Sequence, residues 1–148
     1  MPRILLVDDS AMDRHLFTEI LEKEADFVVE SSEDGQAALD AMSVNLPDIV
    51  LTDMQMPNMD GLELVTQIGK RYPDIPVVLI TGRGSESLAT QALRAGAAGY
   101  VPKSHGNDWL TESVRHVLQL GKRRDPDDRV SQATNLLRQE LILENDPT

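Results

Sequence analysis

An α/β fold, with a doubly wound sheet of five parallel strands and helices on both faces, is what this 148-residue sequence predicts. Three observations predict it. Short β-branched runs recur along the chain, too continuously apolar for strands with a solvated face. A segment with helical spacing of apolar residues follows each run. Four runs end on polar residues: Ile4-Leu5-Leu6-Val7 at Asp8-Asp9, Ile49-Val50-Leu51-Thr52 at Asp53, Val77-Val78-Leu79-Ile80 at Thr81, and Tyr100-Val101-Pro102 at Lys103.

The first strand covers Arg3 to Val7. The first helix covers about Ala11 to Glu24, with Met12, Leu16 and Ile20 recurring every fourth residue and Phe17 and Leu21 beside them. Asp9 or Ser10 can cap its first turn. A short second strand, Phe27 to Glu30, precedes a second helix from about Gly35 to Met42, with Ala38, Leu39 and Met42 on one face. Pro47 and Asp48 open the third strand, Ile49 to Thr52. The loop from Met54 to Met59 leads to Asp60, a plausible cap for a third helix with Leu62, Val65 and Ile68 inward. Pro73 and Pro76 bracket the approach to the fourth strand, Val77 to Ile80, and Gly82 and Gly84 mark the loop after it. The fourth helix covers about Glu86 to Ala95, with Leu88, Ala92 and Ala95 on one stripe and Gly96 as its terminator. The fifth strand is Gly99 to Val101. The fifth helix runs from about Asp108 to Leu120, with Leu110, Val114, Val117 and Leu118 inward, and Gly121 stops it.

Right-handed crossovers leave few ways to order five such strands. The flavodoxin-like order 2-1-3-4-5 fits best, because the first and third strands are the most apolar and should be central. Residues 1–121 then form one domain, and 122–148 form a C-terminal extension or linker. That tail shows a helical stretch from about Asp127 to Arg138, with Val130, Ala133 and Leu137 aligned. Glu140 to Pro147 reads equally well as a strand with a turn, and would suit the start of a truncated output domain or a frayed linker.

Composition narrows the function classes. The net charge is −11, against a nucleic-acid surface, which needs clustered Lys and Arg. Lys122-Arg123-Arg124 is the one basic cluster, and Asp125, Asp127 and Asp128 follow it, so it reads as a solvated helix end. With no cysteine there is no disulfide and no thiolate metal site. No apolar stretch approaches membrane-spanning length, and Ile4 to Val7 is too short for a signal peptide, so a cytoplasmic protein is expected.

In a parallel sheet, ligands bind outside the carboxyl ends of the strands. The polar residues that end the runs would therefore gather at one rim, with Asp8, Asp9 and Asp53 adjacent at the switch point and Thr81 and Lys103 beside them. Each residue alone reads as a helix cap or a surface group; their joint placement carries the signal. Three neighbouring carboxylates raise one another's pKa, and a divalent cation relieves that repulsion. Oxygen ligands without sulfur favour Mg²⁺ or Mn²⁺. Lys103 acts as a point charge toward phosphate, and the Asp53 carboxylate can attack phosphorus.

Leu5-Leu6-Val7-Asp8-Asp9-Ser10, the stretch from Asp53 to Gly61, Ile80-Thr81-Gly82 and the stretch from Gly96 to Lys103 together resemble the bacterial two-component response-regulator receiver domain, from Pro2 to about Leu120. The resemblance implies a phosphorylation-dependent switch rather than a conventional turnover enzyme. Asp53 would take a phosphoryl group from a sensor histidine kinase or phosphotransfer protein. Asp9, Asp53 and the Gln55 main-chain carbonyl would hold Mg²⁺, with Asp8 acting mainly through water. Lys103 would pair with Asp53 and then with the phosphoryl oxygens. Thr81 would be the switch hydroxyl, and Tyr100 the aromatic that turns inward as Thr81 moves. The surface of helix four, strand five and helix five would meet a downstream protein or a fused output domain, and a homodimer is a further possibility. Two positions stand apart. Ser104 replaces the proline usual after the family lysine, often with a cis bond, which without proline would cost about 3–4 kcal/mol. Gln55 and Arg83 are variable in the family and tune dephosphorylation.

Two other classes share parts of this pattern. Aspartate-nucleophile, Mg²⁺-dependent phosphohydrolases carry an acid/base Asp two residues after the nucleophile, where this sequence has Gln55. A phosphorylation-independent interaction domain would keep the acidic rim as a relic.

Overall fold

Strands and helices alternate without exception among the described residues of the computed structural model, which are 1–23, 26–82, 86–103 and 107–121. They are β1 (Arg3–Val7), α1 (Ala11–Glu22), β2 (Val28–Ser32), α2 (Gly35–Val44), β3 (Ile49–Asp53), α3 (Gly61–Arg71), β4 (Val77–Thr81), α4 (Glu86–Ala95), β5 (Gly99–Pro102) and α5 (Asn107–Gly121). The sheet order is β2-β1-β3-β4-β5 and every pairing is parallel, as the sequence predicts. Arg83, Ser104 and the tail 122–148 lie outside the described residues, so the expectations attached to them stand as sequence readings only.

Alternation along the strands sorts the core into two layers. Leu5, Val7, Val50, Val77 and Leu79 pack with residues of α2, α3 and α4, among them Leu39, Met42, Leu64, Val65, Ile68, Ala89 and Ala92. Ile4, Leu6, Ile49, Leu51, Val78 and Ile80 pack with Phe17, Ile20 and Leu21 of α1 and Leu110, Val114 and Val117 of α5. β3 and β4 are buried along their whole length, while edge strand β2 is half-exposed. Full burial of each Val, Leu or Ile contributes about 1.5–3 kcal/mol, which is why few aromatics suffice.

The α1 stripe differs from the sequence reading. Met12 is 80% exposed and Leu16 47%, and the buried set is Phe17, Ile20 and Leu21. A strict spacing of four over-rotates by about 40° per step on a 3.6-residue helix, so the row winds off the core face. In α3, Leu64 is fully buried and Leu62 only partly, and in α4 Ala89 joins Ala92 against the sheet. Ser10, Asp34 and Asp60 cap α1, α2 and α3, their side chains accepting from the N–H of Asp13, Ala37 and Glu63.

Register positions the rim. Val7 pairs with Thr52, Asp53 with Ile80 and Thr81 with Pro102. The residues at or just past these pairs are Asp8, Asp53, Thr81 and Lys103, so the register brings them to one end of the sheet.

Candidate functional site

Asp8, Asp9 and Asp53 each offer one carboxylate oxygen, and the three oxygens lie within 4.8 Å of one another. Asp8 and Asp53 are buried and Asp9 faces solvent. Asp8 is fixed on several sides: its N–H donates to the Ser32 carbonyl at 3.2 Å, its Oδ1 accepts from the Ser10 N–H at 2.9 Å, and its carbonyl accepts from Arg14 Nη1 at 2.7 Å. The Asp53 carboxylate accepts backbone N–H groups of Met54 and Gln55. An open depression lined in part by Asp9, Gln55, Met56, Pro57 and Leu88 leads to this cluster.

Lys103 closes the other side. Its Nζ lies 2.8 Å from Asp13 Oδ2, 3.4 Å from Asp8 Oδ2 and 3.6 Å from Asp53 Oδ1. The ammonium also stands 5.7 Å from the centre of the Phe17 ring, within reach of its negative face.

Burial pushes the Asp8 carboxyl above its usual value; the Ser10 N–H and Lys103 oppose this, and the Asp13 charge adds to it. Burial also raises Asp53, with the Asp8 charge, against Lys103 and the two loop N–H groups. Burial alone would lower the Lys103 ammonium, yet the hydrogen bond to Asp13 and the charges of Asp53, Asp8 and Asp13 raise it.

A stability prediction follows from the two acids. Their folded pKa values exceed the ordinary 3.8, so the folded chain binds these protons more tightly than the unfolded chain. Their stabilising contribution is complete below 3.8 and is lost as pH rises through the raised values. Asp8→Asn, which mimics the protonated acid, should therefore raise the neutral-pH melting temperature in chelator and flatten the loss of stability between mildly acidic and neutral pH. A melting temperature lowered at neutral pH would contradict this.

The structure brings the sequence-derived residues Asp8, Asp9, Asp53 and Lys103 together. Thr81 is buried at the end of β4 on the same rim. Tyr100 is buried in the core layer shared with α4. Gln55 is exposed, with its N–H turned toward Asp53. Sequence reasoning missed Asp13, whose bond to Lys103 joins positions 90 apart in the chain.

The model of the response regulator receiver domain matches residues 4–115. The chain belongs to this receiver family. Among curated relatives, the transcriptional regulatory protein DegU of Brevibacillus brevis is 36% identical over 120 residues, covering 80% of this chain and 51% of the relative. The response regulator MprA of Mycolicibacterium vanbaalenii is 34% identical over 142 residues, covering 96% of this chain and 60% of the relative. The chain thus spans about half the length of these two relatives. A crystal structure of a CheY-like receiver domain protein from Methanospirillum hungatei matches with a TM-score of 0.77 at 28% identity, covering 83% of this chain and 98% of that one. The family is one of phosphorylation-dependent signalling in bacterial two-component systems. No helix among the described residues is long and apolar enough to cross a membrane.

Proposed function

We propose that this receiver accepts a phosphoryl group on Asp53 from a phosphohistidine donor and answers by changing its α4–β5–α5 surface. The observation that carries the proposal is the convergence of the Asp8, Asp9 and Asp53 oxygens within 4.8 Å, with Lys103 Nζ 3.6 Å from Asp53 Oδ1. A carboxylate oxygen of Asp53 forms the new bond to phosphorus, the bond from phosphorus to the donor breaks, and the donor leaves with that electron pair. The N–H groups of Met54 and Gln55 orient the nucleophile. Lys103 neutralises charge on the phosphoryl oxygens.

The donor set fits a hard divalent cation, since it is all oxygen and two of its acids are raised by burial with like charge beside them. Asp9, Asp53 and the Gln55 carbonyl would hold Mg²⁺, or Mn²⁺, with Asp8 acting through water. When bound, such an ion offsets the negative charge of the acids and of an approaching phosphoryl group.

The response is a population shift. The phosphoryl group adds charge and acceptor oxygens, and the conformer whose Thr81 hydroxyl and Lys103 ammonium meet them gains. Moving from about 1:99 to 99:1 takes about 5.5 kcal/mol, within reach of a few charge-assisted hydrogen bonds. Residues 1–121 act as the receiver and 122–148 as its link to an output domain or partner. The alignment with MprA supports this link, since it runs past residue 115, where the family match ends.

Intact-protein mass spectrometry after acetyl phosphate and Mg²⁺ treatment tests the proposal. One labile phosphoryl group at Asp53 is expected, without turnover of small phosphoesters. Absence of label, or label on another residue, refutes it. Thr81→Ala should keep most of the labelling and lose most of the accompanying change in amide exchange over α4 and α5; an undiminished change would remove Thr81 from the switch.

A further inference from the structure

Asp53 is not the nearest carboxylate to Lys103. Asp13 Oδ2 lies at 2.8 Å, the length of a full charge-assisted hydrogen bond, and Asp53 Oδ1 lies at 3.6 Å, beyond one. The surroundings of the closer pair differ at its two ends. The Asp13 N–H donates to Ser10 Oγ at 3.2 Å, which anchors it in the capped first turn of α1. Lys103 lines a small cavity together with Phe17, Ile20, Ile80 and Leu110, and its ammonium stands 5.7 Å from the centre of the Phe17 ring. The two side chains are 32% and 22% exposed, where salt screens their attraction less than at an open surface.

We propose that Asp13 is a positioning residue that holds the Lys103 ammonium away from Asp53 in the unphosphorylated protein and thereby slows phosphoryl acceptance. This rests on Asp53 being the phosphoacceptor. An ammonium has three donors, and here Nζ is 2.8 Å from Asp13 Oδ2 and 3.4 Å from Asp8 Oδ2, so a closer approach to oxygens around Asp53 gives up part of its close pair with Asp13. The attraction between Lys103 and the transferring phosphoryl group is then offset by loss of the Asp13 pair. Asp13 also carries a negative charge near the path of an anionic donor, and that repulsion would slow labelling with or without the lysine. The test must separate the two effects.

Labelling rates with acetyl phosphate and Mg²⁺ are compared for wild type, Asp13→Asn, Lys103→Met and the double variant, with a thermal melt of each. Asp13→Asn should label about three- to tenfold faster, the rate equivalent of losing a partly exposed ion pair. In the Lys103→Met background the same change should alter the rate less than about twofold, because the effect passes through the lysine. Asp13→Glu, which keeps the charge, should label at a rate near wild type. Equal or slower labelling of a folded Asp13→Asn overturns the proposal, and so does acceleration that persists without Lys103. Should Asp13→Asn not fold, Asp13→Ser replaces it under the same criteria. Wild type that labels at Asp53 beside an unresponsive Asp13→Asn refutes the role of Asp13 alone; wild type that takes no label there refutes the phosphoacceptor reading and this proposal with it.

Discussion

Asp53→Asn should lose phosphoryl labelling down to background while remaining folded. The amide oxygen is a far weaker nucleophile than a carboxylate, and its group carries no charge to hold a cation. The fold should survive because the substitution removes a buried negative charge standing beside Asp8, which opposes the charged form of Asp53. The variant should therefore melt at or above the wild-type temperature at neutral pH in chelator. A folded variant without label is the expected pair of results. Residual labelling at more than a few per cent of the wild-type rate would mean that a different group takes the phosphoryl.

Gly61→Ala should have the largest effect on stability. A Cβ at Gly61 would sit well inside 3.0 Å of the Asp53 main-chain oxygen, 2.7 Å from Leu79 Cδ2 and 2.9 Å from Met54 Cα. Two of these three atoms belong to backbone, which has no rotamer by which to give way. The Gly61 N–H also donates to the Met54 carbonyl at 2.9 Å, so the methyl group would push apart a junction that a hydrogen bond closes. Such overpacking costs about 1–3 kcal/mol, occasionally more, and here it displaces the strand end that carries Asp53. Denaturant melts should show that loss, and labelling should slow with it. Gly69 offers the comparison. It lies in the same helix with nothing within 4 Å of its added Cβ, so Gly69→Ala should gain about 0.5–1 kcal/mol. Equal stabilities for the two variants would contradict the close approach at Gly61.

Strand order and rim composition were legible because each depends on local pattern. Ile4 to Val7, Ile49 to Thr52 and Val77 to Ile80 are continuous apolar runs that only a doubly covered sheet accommodates. A polar residue at the end of each run needs only level strands to reach the rim, and the pairing of Val7 with Thr52 and Thr81 with Pro102 supplies that. Helix faces were less legible. Met12 and Leu16 are apolar but lie off the buried arc, because a row spaced by four winds around the helix, and Leu64 lies on it, because which arc of a helix faces the sheet is set by its neighbours. Asp13 escaped notice for a related reason: the bond to Lys103 joins residues 90 positions apart, and no local pattern reports such a pair. The burial of Tyr100 in one layer with Ala89 and Ala92 of α4 is again a matter of packing between elements.

Lys103 follows β5, and its contact with Asp8 spans 95 positions. During synthesis the amino-terminal acids leave the ribosome long before that lysine does. A nascent chain that has not yet reached β5 therefore carries the acids without that ammonium. On the phosphoacceptor reading proposed for Asp53, a chain that has not yet reached Lys103 should take label more slowly than the complete one, because the ammonium that would meet the phosphoryl oxygens is missing.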